Sequence, residues 1–248
     1  MKIRFHGVGI APMEQLARNV EYCKSLGLPE VGQSQRTRLA VVGGGPSVKE
    51  HIEELRDFDG DIWAASGCHR WLKGLGIDSW FFAIGPEKVI AEMCDGADKA
   101  VLASCVDPSV FDKMKGNPVR VLDLVHDGDM INHGPSTVTA GFVFPIYAGY
   151  REVTFYGCDS SYPRGESSHA YENCEHDFRL LIKANGEMFH TDALLFLQAE
   201  YMATMIRRVP SVYKEKSGGL LRAMIADMDY DITGITPALK NFMEKQAA

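Results

Sequence analysis

The sequence predicts an α/β protein with a mainly parallel, Rossmann-like sheet and helices on both faces. Three observations carry that expectation. Short, continuous apolar runs recur from Leu39 onward. Stretches with helical spacing separate them. The first run ends in three successive glycines, LAVVGGGPSVKE, Leu39 to Glu50. Strands covered on both faces need no polar alternation, so continuous apolar runs between helices imply parallel pairing and right-handed crossovers.

In chain order, MEQLARNVEYCKSLGL places apolar residues at helical spacing and stops at Gly27 and Pro29, which predicts an amphipathic helix. A polar linker, VGQSQRTR, follows. Strands are expected at 39–43, 61–65, 79–84, 100–104, 118–123 and 151–157, and helices near 47–56, 68–75, 86–95, 107–114 and 136–148. A long polar loop spans 158–177. Asn185-Gly186 suits the two-residue turn of a hairpin. The apolar stretch TDALLFLQAEYMATMIRRV predicts a helix capped near Thr191 or Asp192. Gly218-Gly219 and GITP punctuate the remainder, with a closing helix near 237–246. The division expected is a helical segment and linker over 1–37, a core domain over 38–210 and a C-terminal extension over 211–248.

Composition narrows the function. The 248 residues suffice for a sizeable core, and 46% hydrophobic with 24% charged residues is ordinary for a globular protein. A net charge of −7 repels phosphate backbones at long range, which argues against broad nucleic-acid binding. The six cysteines form no C-x-x-C pair and several sit in apolar runs, the pattern of reduced, buried thiols. The first residues lack the apolar core of a signal peptide, and TAGFVFPIYAGY is too short to span a bilayer. A cytoplasmic protein without membrane contact is the expectation.

The glycine turn is the first candidate site. Ser47 and Glu50 fit the S-x-x-E capping pattern, and a helix start offers unpaired N–H groups to an anion. Gly43, Gly44 and Gly45 would let a phosphate or sugar approach the backbone. Dinucleotide binding is disfavoured, because Val48 stands at the third glycine position and the second strand ends AASG without an acid. No G-K-[ST] follows, so this is not a Walker loop.

Taken together and in order, VVGGGPSVKEHI, AASGCHRWLKGLGIDSWFFAIGPE, GPSTVTAGFVFPIYAGYREVTFYGCDSSY, SHAYEN and FHTDALLFLQAEYM resemble the 6-hydroxymethylpterin diphosphokinase MptE-like family, above all its phage and bacterial members of undefined role. The resemblance covers about residues 12 to 210. In outline it is also similar to sialyltransferases that use a CMP-sugar. It implies a Rossmann-like fold and a nucleotide, ATP or a nucleotide-sugar, as substrate alongside a small acceptor, with Mg²⁺ in the diphosphokinase case. By position it implies that Gly43, Gly44, Gly45, Pro46 and Ser47 cradle the nucleotide, together with Ser66, Gly67 and Ser160. Ser136 and Thr137 would form a second anion site. Asp159 and His169 would be the catalytic pair, and Asp159 with Glu87 the metal ligands. Two departures stand out. Ser66-Gly67 replaces the family's Asn-Gly, and Gly85 replaces an Asp at the end of the third strand, which leaves Glu87 as the substitute. Three functions follow: diphosphoryl transfer, glycosyl transfer from a nucleotide-sugar, or a catalytically degenerate binding protein.

Other clusters carry less. His169, Cys174 and His176 match no standard zinc spacing. His126, Asp127, Asp129 and His133 precede the Ser136 helix, as a loop or lid opposite the glycines. Cys68 and His69 are adjacent on a helix and therefore point apart.

Overall fold

The computed structural model describes residues 11–123, 125–126, 129–130, 133–162, 169–171 and 180–235. The closing helix expected near 237–246 lies outside them, as do Cys174, His176 and Asp127.

A seven-stranded sheet forms the centre. Its strands are β1 (Arg38–Val42), β2 (Asp61–Ala65), β3 (Trp80–Ala83), β4 (Ala100–Ala103) and β5 (Val119–Leu122). A two-residue ribbon follows, β6 (Val125–His126) with β7 (Asp129–Met130), and then β8 (Glu152–Tyr156). Strands β9 (Leu180–Ala184) and β10 (Glu187–Thr191), the edge strand β11 (Tyr213–Lys216) and β12 (Tyr230–Ile235) complete the set. The main sheet runs β11-β8-β1-β2-β3-β4-β5, and every pairing in it is parallel. The six strands expected from apolar runs are all there.

Burial explains why those runs were continuous. In β1, Leu39 and Val41 enter one core cluster and Ala40 and Val42 the other, so both faces are covered. Trp63 and Ile62 divide the same way in β2. At the far edge the linker residues pair with β5, since Val121 donates to the Pro29 carbonyl and Val31 donates to the Val121 carbonyl, each at 2.9 Å.

The helices are α1 (Met13–Ser25), α2 (Ile52–Arg56), α3 (Cys68–Gly74), α4 (Ile90–Met93), α5 (Pro108–Lys113), α6 (Thr137–Ala140), α7 (Phe144–Tyr147), α8 (Ala193–Arg208) and α9 (Gly219–Ala226). Three differ from expectation. The first core helix starts as a 3₁₀ turn over Pro46–His51 before α2. The helix expected over 86–95 contracts to α4. The long helix expected over 136–148 is broken into α6 and α7, because Pro145 has no N–H to donate and its ring clashes with the carbonyl four residues earlier.

The hairpin forms as expected. Asn185 and Gly186 have φ of 48° and 79°, the left-handed pair a two-residue turn requires. Strand β12 adds to β9, giving a small antiparallel sheet ordered β10-β9-β12. Residues 211–235, set apart on sequence, are wired into the core: β11 pairs with β8 and α9 packs on α8. Among the described residues no helix is long and apolar enough to cross a membrane. Cys23, Cys68, Cys94, Cys105 and Cys158 are buried free thiols.

The strand order places one break in direction. From β1 the chain steps outward through β2 to β5, then returns to lay β8 on the other side of β1. The loops leaving β1 and β8 therefore diverge, and a crevice opens at their carboxyl ends, where open α/β sheets bind ligands.

Candidate functional site

Two glycine turns form the floor. Gly43 donates to the Tyr156 carbonyl at 2.8 Å and Gly45 donates to the Gly157 carbonyl at 2.7 Å, so the ends of β1 and β8 run on as a backbone pair. A Cβ on Gly43 would lie 2.6 Å from the Gly157 oxygen, and one on Gly45 would lie 2.7 Å from it. Gly157 itself has φ of 61°, and its Cβ would meet the Gly43 oxygen at 2.7 Å. Much of the glycine requirement therefore comes from the protein's own backbone.

The helix start behind the turn is also spoken for. Sequence placed an external anion there; the structure places the Asp159 carboxylate. The Ser47 N–H donates to its Oδ2 at 2.9 Å, the Ser47 hydroxyl donates to Oδ1, and the Gly218 N–H donates to Oδ1 at 2.9 Å. The capping box expected between Ser47 and Glu50 does not form: Gly45 is the cap residue, and Ser47 turns to Asp159 instead. The next residues hold α9, as the Ser161 hydroxyl accepts from Leu220 N–H at 3.2 Å and the Asp159 carbonyl accepts from Leu221 N–H at 3.2 Å.

A cavity of about 340 Å³ opens in front of these turns. That volume is at the lower end of small-molecule sites. Of the residues expected to bind a nucleotide, Gly43, Gly44, Gly45, Ser66, Gly67, Ser136, Thr137 and Ser160 line it, together with Asp159 and His169. Pro46 and Ser47 sit behind the turn and do not. Ser66 and Ser160 both hold left-handed backbone, with φ of 47° and 57°. Non-glycine residues rarely adopt it, and such strain gathers at functional sites.

Residues 169–171 form a strap across the floor. The Ala170 N–H donates to the Gly44 carbonyl at 2.7 Å. His169 and Tyr171 face Gly44, whose Cβ would lie 2.5 Å from His169 Cδ2 and 2.8 Å from Tyr171 Oη. The Tyr171 ring reaches Gly67 as well and lies 6.1 Å from Trp71, centroid to centroid.

Elsewhere in the lining, among apolar side chains, a polar relay is held by hydrogen bonds. The Ser136 hydroxyl donates to Gln198 Oε1 at 2.7 Å, Gln198 Nε2 donates to Ser160 Oγ at 2.9 Å, and the Ser160 hydroxyl donates to the Cys158 carbonyl at 3.0 Å. The Ser136 N–H is taken by Thr139 Oγ1 at 2.9 Å. Sequence reasoning missed Gln198, Gly157 and Tyr171. Gln198 looked like one more position on a core-facing helix, and its only signal was an amide within that apolar face.

The remaining candidates separate from the cavity. Glu87 is exposed and does not line it; its carboxylate folds back over Gly85. Among the described residues no three His, Cys, Asp or Glu side chains gather as a metal site. Asp159, the acid in the lining, already accepts from three protein donors. The described residues thus do not fit the Mg²⁺ expected at Asp159 and Glu87. Burial pushes the Cys68 and Cys158 thiols up, so both stay protonated. Burial also pushes His69 down to about 4, a neutral ring 3.0 Å from the Ser79 hydroxyl.

No family model matches the chain, and no curated protein matches it in sequence. Among solved structures, the chain is similar to the MAf glycosyltransferase from Magnetospirillum magneticum AMB-1, with a TM-score of 0.62 and 19% identity over 86% of this chain. It spans 37% of that protein's length. At that identity the likeness extends to the fold alone, a Rossmann-like α/β sheet.

Proposed function

We infer that the chain is a transferase that takes a nucleotide-linked donor into the crevice between β1 and β8 and passes the linked group to a small acceptor. The donor that suits the cavity best is a nucleoside monophosphate sugar. The observation carrying this reading is the chemistry of the lining. Hydroxyls, an amide and backbone face the cavity among the apolar side chains of Ala65, Met93, Val138, Leu194 and Leu195, no Lys or Arg does so among the described residues, and the one described carboxylate is engaged. Such a wall supports a single phosphodiester charge. A triphosphate brings several negative charges, which would need cations to offset their desolvation. The resemblance in outline to CMP-sugar enzymes and the fold shared with a glycosyltransferase support the same choice.

In this reading an acceptor hydroxyl attacks the sugar's anomeric carbon as the bond to the phosphate oxygen breaks. His169 takes the hydroxyl proton, and the nucleoside monophosphate leaves with the bonding electrons.

Calorimetric titration with a CMP-sugar, a UDP-sugar and ATP, each with and without Mg²⁺, tests it. The CMP-sugar is expected to bind without metal and to stabilise the fold by ~3 kcal/mol at a hundredfold excess over Kd. His169→Asn should then lower turnover about a hundredfold or more while leaving donor affinity near that of the parent. Binding of ATP alone, and only with Mg²⁺, would replace glycosyl transfer by diphosphoryl transfer. Binding without turnover of any acceptor leaves a degenerate binding protein, and no nucleotide binding removes the transferase reading altogether.

A further inference from the structure

The amide of Gln198 is held in one orientation by a relay that ends on a carbonyl. The Cys158 carbonyl can only accept, so the Ser160 proton goes to it, at 3.0 Å. The Ser160 oxygen is then an acceptor toward Gln198, and the amide nitrogen must face it, at 2.9 Å. The amide oxygen turns to the other side, where Ser136 donates to it at 2.7 Å. One N–H and one oxygen lone pair of the amide are left over. Gln198 lines the cavity, and the same face of α8 presents Leu194 and Leu195 beside it. A side-by-side donor and acceptor flanked by apolar surface matches the edge and face of a nucleobase. An unconstrained glutamine can turn over to fit either polarity; this one cannot do so without breaking the relay.

Resting on the reading of the crevice as a nucleotide site, we propose that Gln198 reads the base of the bound nucleotide, in a subsite formed with Leu194 and Leu195 at the start of α8. The fixed amide distinguishes bases that exchange donor and acceptor on adjacent positions. Cytosine offers an acceptor beside an amino donor, and uracil offers the reverse; adenine and hypoxanthine form the corresponding purine pair. The disfavoured member of either pair sets donor against donor and acceptor against acceptor, leaving buried polar groups unpaired.

The test is the dissociation constant of CMP, UMP, AMP and IMP, measured by calorimetry on the parent and on Ser160→Ala, Ser160→Gly and Gln198→Leu. The parent is expected to separate the members of its preferred pair by about tenfold or more. Removing the Ser160 hydroxyl frees the amide to turn, so the ratio should fall toward one. Ser160→Gly removes the same hydroxyl and suits the left-handed backbone, which covers the case in which the alanine variant does not fold. Gln198→Leu should level the ratio by weakening the better ligand. A parent that binds both members equally overturns the proposal, as does a preference that survives in every variant. A parent that binds none of the four removes the nucleotide reading itself, a result distinct from binding without discrimination.

Discussion

The two sides of the crevice are built from different materials. On the floor, Gly43, Gly45 and Gly157 lie where two backbones meet, with oxygen and amide groups already paired to one another. On the wall, Ser136, Ser160 and Gln198 point polar side chains at each other and at the cavity. The floor is therefore a self-contained joint between strands, and the wall is the part that presents polar side chains to the cavity. A glycine-rich turn invites the inference that a ligand needs the room. Here most of that room is filled by the chain itself, and the anion at the helix start is Asp159.

This contrast breaks first at Gly157. An alanine there must adopt φ near 61° and bring its Cβ to 2.7 Å from the Gly43 oxygen and 2.8 Å from Val48 Cβ, neither of which can swing away. The left-handed backbone and the overpacking together should cost about 3 kcal/mol, read as a lower midpoint in urea unfolding. A loss under about 1 kcal/mol would mean that the joint is loose, and the floor would then become a candidate for ligand approach after all.

Asp159→Asn comes next. The amide keeps one acceptor and loses the other, and its NH₂ must face either Ser47 or Gly218, both of which donate in the parent. Losing a charge-assisted bond and opposing two donors should cost about 2 kcal/mol in the same unfolding assay. Were the variant as stable as the parent but unable to bind nucleotide, Asp159 would be a ligand contact and its role in the joint would be secondary.

The residues that sequence made legible are those whose chemistry repeats along the chain. Runs such as LAVV and VTFY announce strands because both faces are covered, and Asn185-Gly186 announces its turn because few other pairs tolerate that backbone. Strand β11 escaped notice for the opposite reason. YKEK is a polar edge strand whose lysines face solvent or Glu152 and Glu54, a composition that guards an edge and resembles a loop. Pro145 was visible, yet the apolar stretch around it outweighed the break it enforces. Sequence pointed to Gly43–Gly45, Ser136 and Ser160, which the fold brings to one cavity, but it could not see that Ser47 faces Asp159 across 112 positions of chain. Gln198 depends on contacts 38 and 62 residues away, which no local pattern encodes.

Gly44 sharpens the contrast because it is the exception within its own turn. A Cβ at Gly43 or Gly45 meets backbone, whereas one at Gly44 meets His169 Cδ2 at 2.5 Å and Tyr171 Oη at 2.8 Å, outer atoms of side chains on the strap. Its φ is not left-handed, so alanine can occupy it without backbone strain. Gly44→Ala should therefore leave stability within about 1 kcal/mol of the parent, the strap's retreat being offset by the smaller entropy of the unfolded chain. The change belongs instead to the strap. As Tyr171 backs away, its 6.1 Å spacing from Trp71 alters, which shifts the Trp71 fluorescence; a Trp71→Phe background identifies that signal among the three tryptophans. A Gly44→Ala variant as damaged as Gly157→Ala would show that the strap is as rigid as the joint beneath it. A stable variant with a displaced strap locates the movable boundary of the crevice at the one glycine of the three whose nearest contacts are side-chain atoms alone.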